Sequence, residues 1–259
     1  IVFGSGAVQE MHRRWFENHL KNFNVVYKNR SDDFHGLALS GPKSRDLLQK
    51  LVRENISNEN FKFRDVREMF VAGVPAIVNR ISFTGELGYE VYVVPHFQLK
   101  LYEEMEVAGK EFNLKPFGAR ALMSMRLEKN WGAWTLDFRP DFTAKESGLD
   151  FFIDWNKDFI GKESAKKDIS KLKLTPLIIE TEDIDVTNNE AVVKDEKSIG
   201  YITSGGFAHY VNKSVAYSYL DEEILKTNEK FQVEINGNFY NTTIIKEPLY
   251  DPRGTKMRS

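Results

Sequence analysis

The stretch Phe83-Thr-Gly-Glu-Leu-Gly-Tyr-Glu90 places an acidic residue, Glu86, between two glycines. A strand-like run at residues 76–83 leads into it, and a second run at residues 89–95 follows at once. Apolar β-branched and aromatic runs on either side of a glycine-rich turn indicate two consecutive strands. The stretch therefore predicts a strand–turn–strand unit with a carboxylate where the backbone is most adaptable.

Helices and strands are intermixed on both sides of this unit. Helical spacing and caps predict helices at residues 7–20, from the Ser40 cap onward, at 98–112 and at 116–130. Strand-like runs occupy residues 34–39, 66–72, 74–83 and 89–94. Within the helix at 98–112 we expect an inward face of Leu99, Tyr102, Met105 and Ala108. Because strands and helices do not alternate strictly, the pattern favours an α+β layer over a doubly wound sheet.

Short β segments dominate the chain beyond the charged stretch at residues 162–168. They are predicted at residues 175–180, 191–193, 198–203, 215–220, 232–235 and 241–245. The turn signals Ser204-Gly-Gly and Asn236-Gly-Asn separate some of them. Regular short strands of this kind predict a small barrel or sandwich. We therefore predict two domains, residues 1–165 and 166–259.

Composition excludes several classes of protein. Hydrophobic residues make up 41% of the 259, charged residues 29%, and the net charge of -2 provides no electrostatic basis for binding nucleic acid or an anionic membrane. The chain has no cysteine, which excludes disulfides and thiolate chemistry. We expect a reducing compartment, the cytoplasm or, in a eukaryote, the mitochondrial matrix. The apolar start Ile1-Val-Phe predicts that the chain begins inside a fold whose N-terminal part is missing.

Catalytic and metal-binding motifs are not evident. None of the five histidines lies in a recognisable nucleophile motif, and acids and histidines do not cluster with metal-ligand spacing. Gly4-Ser-Gly-Ala lacks the third glycine of a dinucleotide-binding loop. The residues themselves thus indicate neither a catalytic group nor a metal site.

Glu86 carries the most specific chemistry. A buried carboxylate needs partners, and two parallel N–H donors on a flat ring edge would satisfy both of its oxygens. Pterins and guanines present such an edge through a ring N–H and an exocyclic amine. The alternative is an acid in a solvated turn, which local physics alone favours.

Two arginines and two tryptophans are further candidates. Arg120 and Arg126 could hold an anionic ligand tail, or could be surface residues paired with Glu128 or Glu111. The tryptophans Trp131 and Trp134 could stack on a ring system, or fill the core. Core filling is the expectation for at least one of them.

Several motifs together resemble one family. The similar stretches are Gly41-Pro-Lys-Ser-Arg-Asp-Leu-Leu, residues 82–90, Ala121-Leu-Met-Ser-Met-Arg-Leu-Glu-Lys, Gly161-Lys-Glu-Ser, Gly200-Tyr-Ile-Thr-Ser-Gly-Gly and Glu247-Pro-Leu-Tyr-Asp-Pro. In this order they resemble the tetrahydrofolate-binding region of the aminomethyltransferase family, which includes the glycine-cleavage T-protein. The variants around Glu86 and Arg126 are similar to the C-terminal halves of dimethylglycine and sarcosine dehydrogenases.

The resemblance implies a fold and a binding site. The fold is a partial α+β folate-binding domain followed by a C-terminal β-barrel. The cofactor is tetrahydrofolate, with Glu86 on the pteridine edge, Arg126 near the folate and its tail, and Tyr89 in the pocket wall. Phe83 and Trp131 complete the candidate cofactor-binding set. The catalytic residue is unknown, because the family's catalytic Asp is expected upstream of Ile1, as is the flavin domain that would bind FAD.

Four functions are compatible with this resemblance. The first is the folate half of a flavin-dependent dimethylglycine or sarcosine dehydrogenase, which passes a one-carbon unit from an oxidised methylamine to tetrahydrofolate and yields 5,10-methylene-tetrahydrofolate. Its partners would be a methylated-amine donor and a flavin-dependent dehydrogenase domain or subunit. The alternatives are a truncated glycine-cleavage aminomethyltransferase with a lipoyl-carrier partner, a related demethylase acting on a sulfonium compound, and a non-catalytic folate-binding module.

Overall fold

The computed structural model describes residues 1–182, 184–227 and 230–259, which form two compact units. The first unit comprises residues 1–118 and 253–259, and the second comprises residues 119–252. A mixed helix and sheet arrangement is followed by a closed barrel, as predicted. The units change at residue 119, and the domain boundary between residues 165 and 166 stays a prediction.

The first unit is built on a four-stranded antiparallel sheet in the order β1-β4-β3-β2. The strands are β1 (His35–Ser40), β2 (Val66–Val71), β3 (Val74–Asn79) and β4 (Gly88–Val93). The helices are α1 (Gln9–His19), α2 (Ser44–Leu51), α3 (Gln98–Gly109) and α7 (Thr255–Arg258), with 3₁₀ turns at Gly6–Val8, Pro95–Phe97 and Lys110–Phe112. The predicted pair of strands on either side of Glu86 is present, and β3 and β4 are hydrogen-bonded neighbours.

The core of this unit follows from alternation along the strands and from one face of each packed helix. On β3, Val74, Ala76 and Val78 are buried, because every second residue points to the same face of a strand. Leu47 and Leu48 of α2 join the same core. The core therefore lies on one side of the sheet, beneath α2 and α3.

The predicted inward face of α3 is partly wrong. Leu99 is 68% exposed and Tyr102 is 40% exposed, whereas Leu101 and Met105 are buried. At 3.6 residues per turn, a row of residues spaced only by three drifts steadily around the helix, whereas alternating spacings of four and three stay on one face. Leu101, Met105 and the partly buried Ala108 follow this alternation.

Helix α1 is present close to its predicted position, but none of its residues is buried. Trp15 is 55% exposed and stacks on His19 with ring centroids 3.9 Å apart. Arg13 pairs with both Glu10 and Glu17 on the same helix. These local contacts support the helix where core packing does not.

The second unit is a closed antiparallel barrel in the order β10-β5-β8-β7-β6-β9. The strands are β5 (Leu172–Ile179), β6 (Ala191–Lys194), β7 (Lys197–Ala208), β8 (Lys213–Asp221), β9 (Gln232–Ile235) and β10 (Asn238–Ile244). The helices are α4 (Ala119–Glu128), α5 (Lys162–Lys166) and α6 (Glu222–Thr227), with a 3₁₀ turn at Asp150–Phe152. Helix α4 packs on β7 and β8 through Leu127, which lies in one apolar cluster with Val215 and Tyr217.

One predicted turn of the barrel is wrong and another is correct. Ser204-Gly-Gly lies inside β7, where a Cβ on Gly205 would come within 2.9 Å of the carbonyl oxygen of Val186. This glycine allows a close approach of backbone to backbone and does not make a turn. Asn236 and Gly237 do form the turn between β9 and β10, with φ values of 51° and 80°.

Candidate functional site

The turn that carries Glu86 is held in one conformation by its own hydrogen bonds. Gly85 has a φ of +87°, which an L side chain rarely adopts. Its N–H donates to the Ser82 hydroxyl at 3.0 Å, and the Glu86 N–H donates to the Thr84 hydroxyl at 3.2 Å. The carboxylate therefore projects from a fixed backbone.

Residues in and beside the connection between β1 and α2 hydrogen-bond to this turn. The hydroxyls of Ser40 and Thr84 are 2.5 Å apart. The carbonyl of Leu87 accepts from the Gly41 N–H at 2.8 Å and from the Ser44 hydroxyl at 3.0 Å. These contacts join segments more than forty residues apart in sequence, so the position of the turn depends on the whole sheet.

The Glu86 carboxylate is shielded but reachable. Its side chain is 21% exposed, and Lys256 Nζ lies 3.7 Å from its Oε1. An acid of this kind differs from the solvated turn acid that local physics favours, because most of its surface is covered. It can present its oxygens to a ligand with two N–H donors.

The other two candidates of the first unit occupy different environments. Phe83 is 38% exposed, so part of its side chain is accessible, three residues before Glu86 in the sequence. Tyr89 is 1% exposed and lies in the apolar core with Phe61, and its hydroxyl accepts from Arg45 Nε at 3.2 Å. Burial raises the pKa of Tyr89, and the charge of Arg45 opposes that shift. A contact of Tyr89 with a ligand stays a prediction. In the structure Tyr89 lies on β4, directly after the turn, and packs into the core of the first unit.

Arg126 lies in the second unit and is fully buried. Its Nη1 donates to Asp137 Oδ2 at 2.8 Å and to the main-chain oxygen of Trp131 at 3.0 Å. The alternative of a surface pairing with Glu128 or Glu111 is therefore wrong for Arg126, because Arg126 points into the unit and its carboxylate partner lies eleven residues along the chain. A contact of Arg126 with the folate stays a prediction.

Asp137, which the sequence analysis did not single out, is a centre of buried polar contacts. Its carboxylate accepts from the Ala133 N–H at 2.8 Å, from the Ser204 hydroxyl at 2.7 Å, and from the Thr203 hydroxyl. The Tyr219 hydroxyl donates to its main-chain oxygen at 2.9 Å. The buried Arg126 at the end of α4 requires such a partner. Because that burial arises only in the folded chain, local sequence patterns carried no signal for Asp137.

The two charged residues after Leu127 are also buried and engaged. Glu128 accepts from the Tyr210 N–H at 2.6 Å. Burial raises the pKa of Glu128, and this hydrogen bond acts in the opposite direction. Lys129 is 3% exposed, and its Nζ donates to the carbonyls of Tyr250 at 3.1 Å and Asp251 at 2.6 Å. The stretch 126–129 thus organises three distant segments of the second unit.

The remaining candidates are closer to the surface. Trp131 is partly buried, and Lys129 Nζ lies 5.7 Å from the centre of its ring. Trp134 is 58% exposed and contacts Phe138 edge-on. Arg120 is exposed at the start of α4. Of the five candidate cofactor-binding residues, Phe83, Glu86 and Tyr89 belong to the first unit, and Arg126 and Trp131 to the second.

Within residues 1–182, 184–227 and 230–259, no group of three or more histidines and acids is arranged to hold a metal ion. In the same part of the chain, no helix has the length and apolar character needed to cross a bilayer.

Two known families cover most of the chain. Residues 1–157 match the GCVT N-terminal domain, and residues 173–251 match the glycine cleavage T-protein C-terminal barrel domain.

Individual proteins are similar over nearly the full length of the chain. Human mitochondrial dimethylglycine dehydrogenase is 35% identical over 266 residues, which cover 100% of this chain and 30% of that protein. The rat protein is 36% identical and is covered to 31%. An aminomethyltransferase of Desulfitobacterium hafniense is 33% identical over 245 residues, covering 93% of this chain and 66% of that protein. The chain thus spans about a third of the length of the curated dehydrogenases that it matches.

A solved structure has a similar fold. The crystal structure of glycine cleavage system aminomethyltransferase T from Bartonella henselae superposes with a TM-score of 0.81. The superposition covers 95% of this chain and 67% of that one, at 19% sequence identity. At this identity the likeness concerns the fold alone.

Proposed function

The chain belongs to the glycine-cleavage T-protein family, and we propose that it is the tetrahydrofolate-binding portion of a flavin-dependent dimethylglycine or sarcosine dehydrogenase. The family resemblance drawn from its motifs is confirmed, both by the two matched domains and by the dehydrogenases and aminomethyltransferases among its relatives. The dehydrogenase assignment is supported by the human relative, whose alignment covers the whole of this chain.

The observation that carries the folate proposal is the fixed, shielded carboxylate of Glu86. The reduced pterin ring of tetrahydrofolate presents a ring N–H and an exocyclic amine on one edge. A carboxylate can accept both in parallel, and hydrogen bonds to an ionised acceptor are stronger than neutral ones. The turn supplies the rigid placement that such planar recognition requires, since Gly85 and the Ser82 and Thr84 hydroxyls hold its backbone.

The proposed reaction needs little covalent chemistry from this chain. The two nitrogens N5 and N10 of tetrahydrofolate would take up the one-carbon unit of an iminium formed from the methylated amine. The demethylated amine would leave with one of their protons, the other proton would be released, and the product would be 5,10-methylene-tetrahydrofolate. In this proposal Glu86 orients the ring edge, and Phe83, which is 38% exposed, covers the ring. Holding one reactant in a defined orientation is itself a large catalytic contribution. FAD would be bound by a separate dehydrogenase domain or subunit.

A glycine-cleavage aminomethyltransferase is the second candidate function. The Desulfitobacterium hafniense aminomethyltransferase, 33% identical over 93% of this chain, favours it. In that case the donor would be an aminomethyl-lipoyl carrier instead of a methylated amine. Under the same proposals the protein would act in the mitochondrial matrix of a eukaryote or in the cytoplasm of a bacterium.

Calorimetric titration with tetrahydrofolate tests the proposal. The wild-type chain should bind it, and Glu86→Gln should weaken binding by about ten-fold or more, because an amide nitrogen would face a ring donor. Glu103→Gln is the matched control, since Glu103 is an exposed glutamate on α3 of the same unit. Equal affinities of wild type and Glu86→Gln would remove Glu86 from the site.

A second titration addresses the competing ligand and donor classes. Guanosine shares the two-donor edge but not the reduced pterin, so tighter binding of guanosine than of tetrahydrofolate would contradict the proposal. If tetrahydrofolate binds, a donor assay distinguishes the two candidate functions. The chain is supplied either with a purified flavin-dependent dehydrogenase domain and dimethylglycine, or with an aminomethyl-lipoyl carrier. The donor that yields 5,10-methylene-tetrahydrofolate identifies the function.

A further inference from the structure

The segment 253–259 brings a cation to the Glu86 carboxylate. Lys256 Nζ lies 3.7 Å from Glu86 Oε1, with the lysine side chain 53% exposed and the glutamate 21% exposed. These residues are 170 positions apart in sequence, so the pairing depends on how the segment is held. The carboxylate proposed to read the ring edge therefore already faces a positive charge.

Two arginines hold one end of this segment. The main-chain oxygen of Ser259 accepts from Arg45 Nη2 and from Arg80 Nη2, each at 2.6 Å. Arg80 is fully buried, and its Nη1 donates to the main-chain oxygen of Phe61 at 2.5 Å. Since a buried guanidinium requires acceptors, the Ser259 oxygen is a firm anchor point.

Further contacts hold the segment on either side of Lys256. Met257 is buried at 7% exposure. The Arg258 guanidinium lies 5.8 Å from the centre of the Phe63 ring, and its Nη1 donates to the Arg253 oxygen at 2.7 Å. The backbone at residue 256 is thus fixed, and the long lysine side chain extends from it toward Glu86.

We propose that Lys256 is a displaceable counter-ion of Glu86 and competes with the ring edge for that carboxylate. The inference rests on the proposed function, because it takes Glu86 as the acid that reads the ring. At 3.7 Å the ammonium lies beyond hydrogen-bonding distance, and half-exposed ion pairs of this kind are weak. A ring edge would replace it with two direct hydrogen bonds to the same oxygens.

The competition has a measurable sign. In the wild-type chain, ligand binding must first displace Lys256 from Glu86. Removing the lysine charge should therefore strengthen the binding of a ligand that has no anionic group of its own. Salt screens the ion pair, so this gain should shrink as ionic strength rises.

The test uses 6-methyltetrahydropterin, which has the amino-pyrimidine edge and no carboxylate. Calorimetry under nitrogen compares wild type with Lys256→Gln at low and at high salt. We expect about two- to five-fold tighter binding by the variant at low salt, and a smaller difference at high salt. Lys100→Gln is the matched control, since Lys100 forms a similar pair of 3.8 Å with Glu104 on α3, and it should bind as wild type does.

The possible outcomes separate the two proposals. Binding by wild type with unchanged or weaker binding by Lys256→Gln overturns the counter-ion proposal alone. Binding that only Lys256→Gln shows supports it strongly. If neither wild type nor Lys256→Gln binds 6-methyltetrahydropterin or tetrahydrofolate, the proposed function is overturned, and the counter-ion proposal with it.

Discussion

Arg126 and Asp137 form an ion pair of 2.8 Å in which both side chains are inaccessible to solvent, at 1% and 0% exposure. The pair joins the end of α4 to the loop that follows it. Asp137 also accepts from the Ser204 hydroxyl on β7, so the pair connects the helix to the barrel wall. Buried pairs of this kind are costly to break, because the remaining charge has no water to solvate it.

Asp137→Asn should destabilise the chain by about 3 kcal/mol, because it leaves the Arg126 charge buried without a counter-charge. Urea unfolding measures the change. Asp141→Asn is the control: Asp141 is 67% exposed and lies 3.4 Å from Arg139, and a pair of this type contributes about 1 kcal/mol or less. Similar losses in the two variants would contradict this account of the pair.

Two neighbouring tyrosines of β8 should respond differently to loss of the hydroxyl. The Tyr219 hydroxyl donates to the Asp137 main-chain oxygen at 2.9 Å and lies 2.8 Å from the Ser147 hydroxyl. Burial raises the pKa of Tyr219 to about 12. Tyr219→Phe should cost about 1–2 kcal/mol of unfolding free energy, because it leaves a buried acceptor without its donor.

The Tyr217 hydroxyl, in contrast, is buried without a hydrogen-bond partner among the residues that the structure describes. Tyr217→Phe should therefore be neutral or stabilising, since it removes a buried polar group that gains nothing from burial. Thermal melting of both variants checks the pair of predictions. A larger loss of thermal stability in Tyr217→Phe than in Tyr219→Phe would contradict this account of the two hydroxyls.

Glu128 should make stability depend on pH. Its pKa is raised by burial from an unfolded value near 4.5, so the folded chain holds this proton more tightly than the unfolded chain. The resulting stabilisation is complete below the unfolded pKa and is lost as pH rises through the folded pKa. Glu128→Gln, which does not titrate, should therefore gain stability relative to wild type between pH 4 and pH 8. Parallel stability curves for the two proteins would contradict the raised pKa.

Gly88→Ala should disturb the Glu86 turn. A Cβ at this position would lie 3.0 Å from the Ile81 oxygen and 3.3 Å from the Leu39 oxygen, and both are backbone atoms. We expect a loss of about 1–3 kcal/mol, together with weaker tetrahydrofolate binding. Gly118→Ala is the control, because a Cβ there meets no atom within 4 Å. Unchanged stability of Gly88→Ala in urea would show that the turn can shift at little cost.

Local patterns in the sequence predicted much of the fold. The alternation of β3 and β4, the glycines around Glu86 and the Asn236-Gly237 turn depend on neighbouring residues, and all three are present in the structure. Gly205 was misassigned because its role depends on Val186, which approaches it from another part of the barrel. A glycine that makes a turn and a glycine that admits a close contact look the same in sequence.

The candidate site was less predictable. Pairing rules for a helix connect residues three or four apart, whereas Asp137 lies eleven residues beyond Arg126 in the loop after α4, so these rules could not identify it. Lys256 was absent from the prediction for the same reason, because it meets Glu86 only through the anchoring of segment 253–259. Glu86 could be identified as a candidate from the glycine-rich turn around it, whereas its electrostatic surroundings arise from the tertiary structure.

The stretch Arg126-Leu-Glu-Lys129 has a consequence for how relatives of this chain are recognised. Each of its charges is occupied within the second unit: Arg126 by Asp137, Glu128 by the Tyr210 N–H, and Lys129 by the carbonyls of residues 250 and 251. Two proteins can therefore share this stretch because both must close the same barrel against the same helix. Its presence reports common architecture and does not by itself report a common substrate.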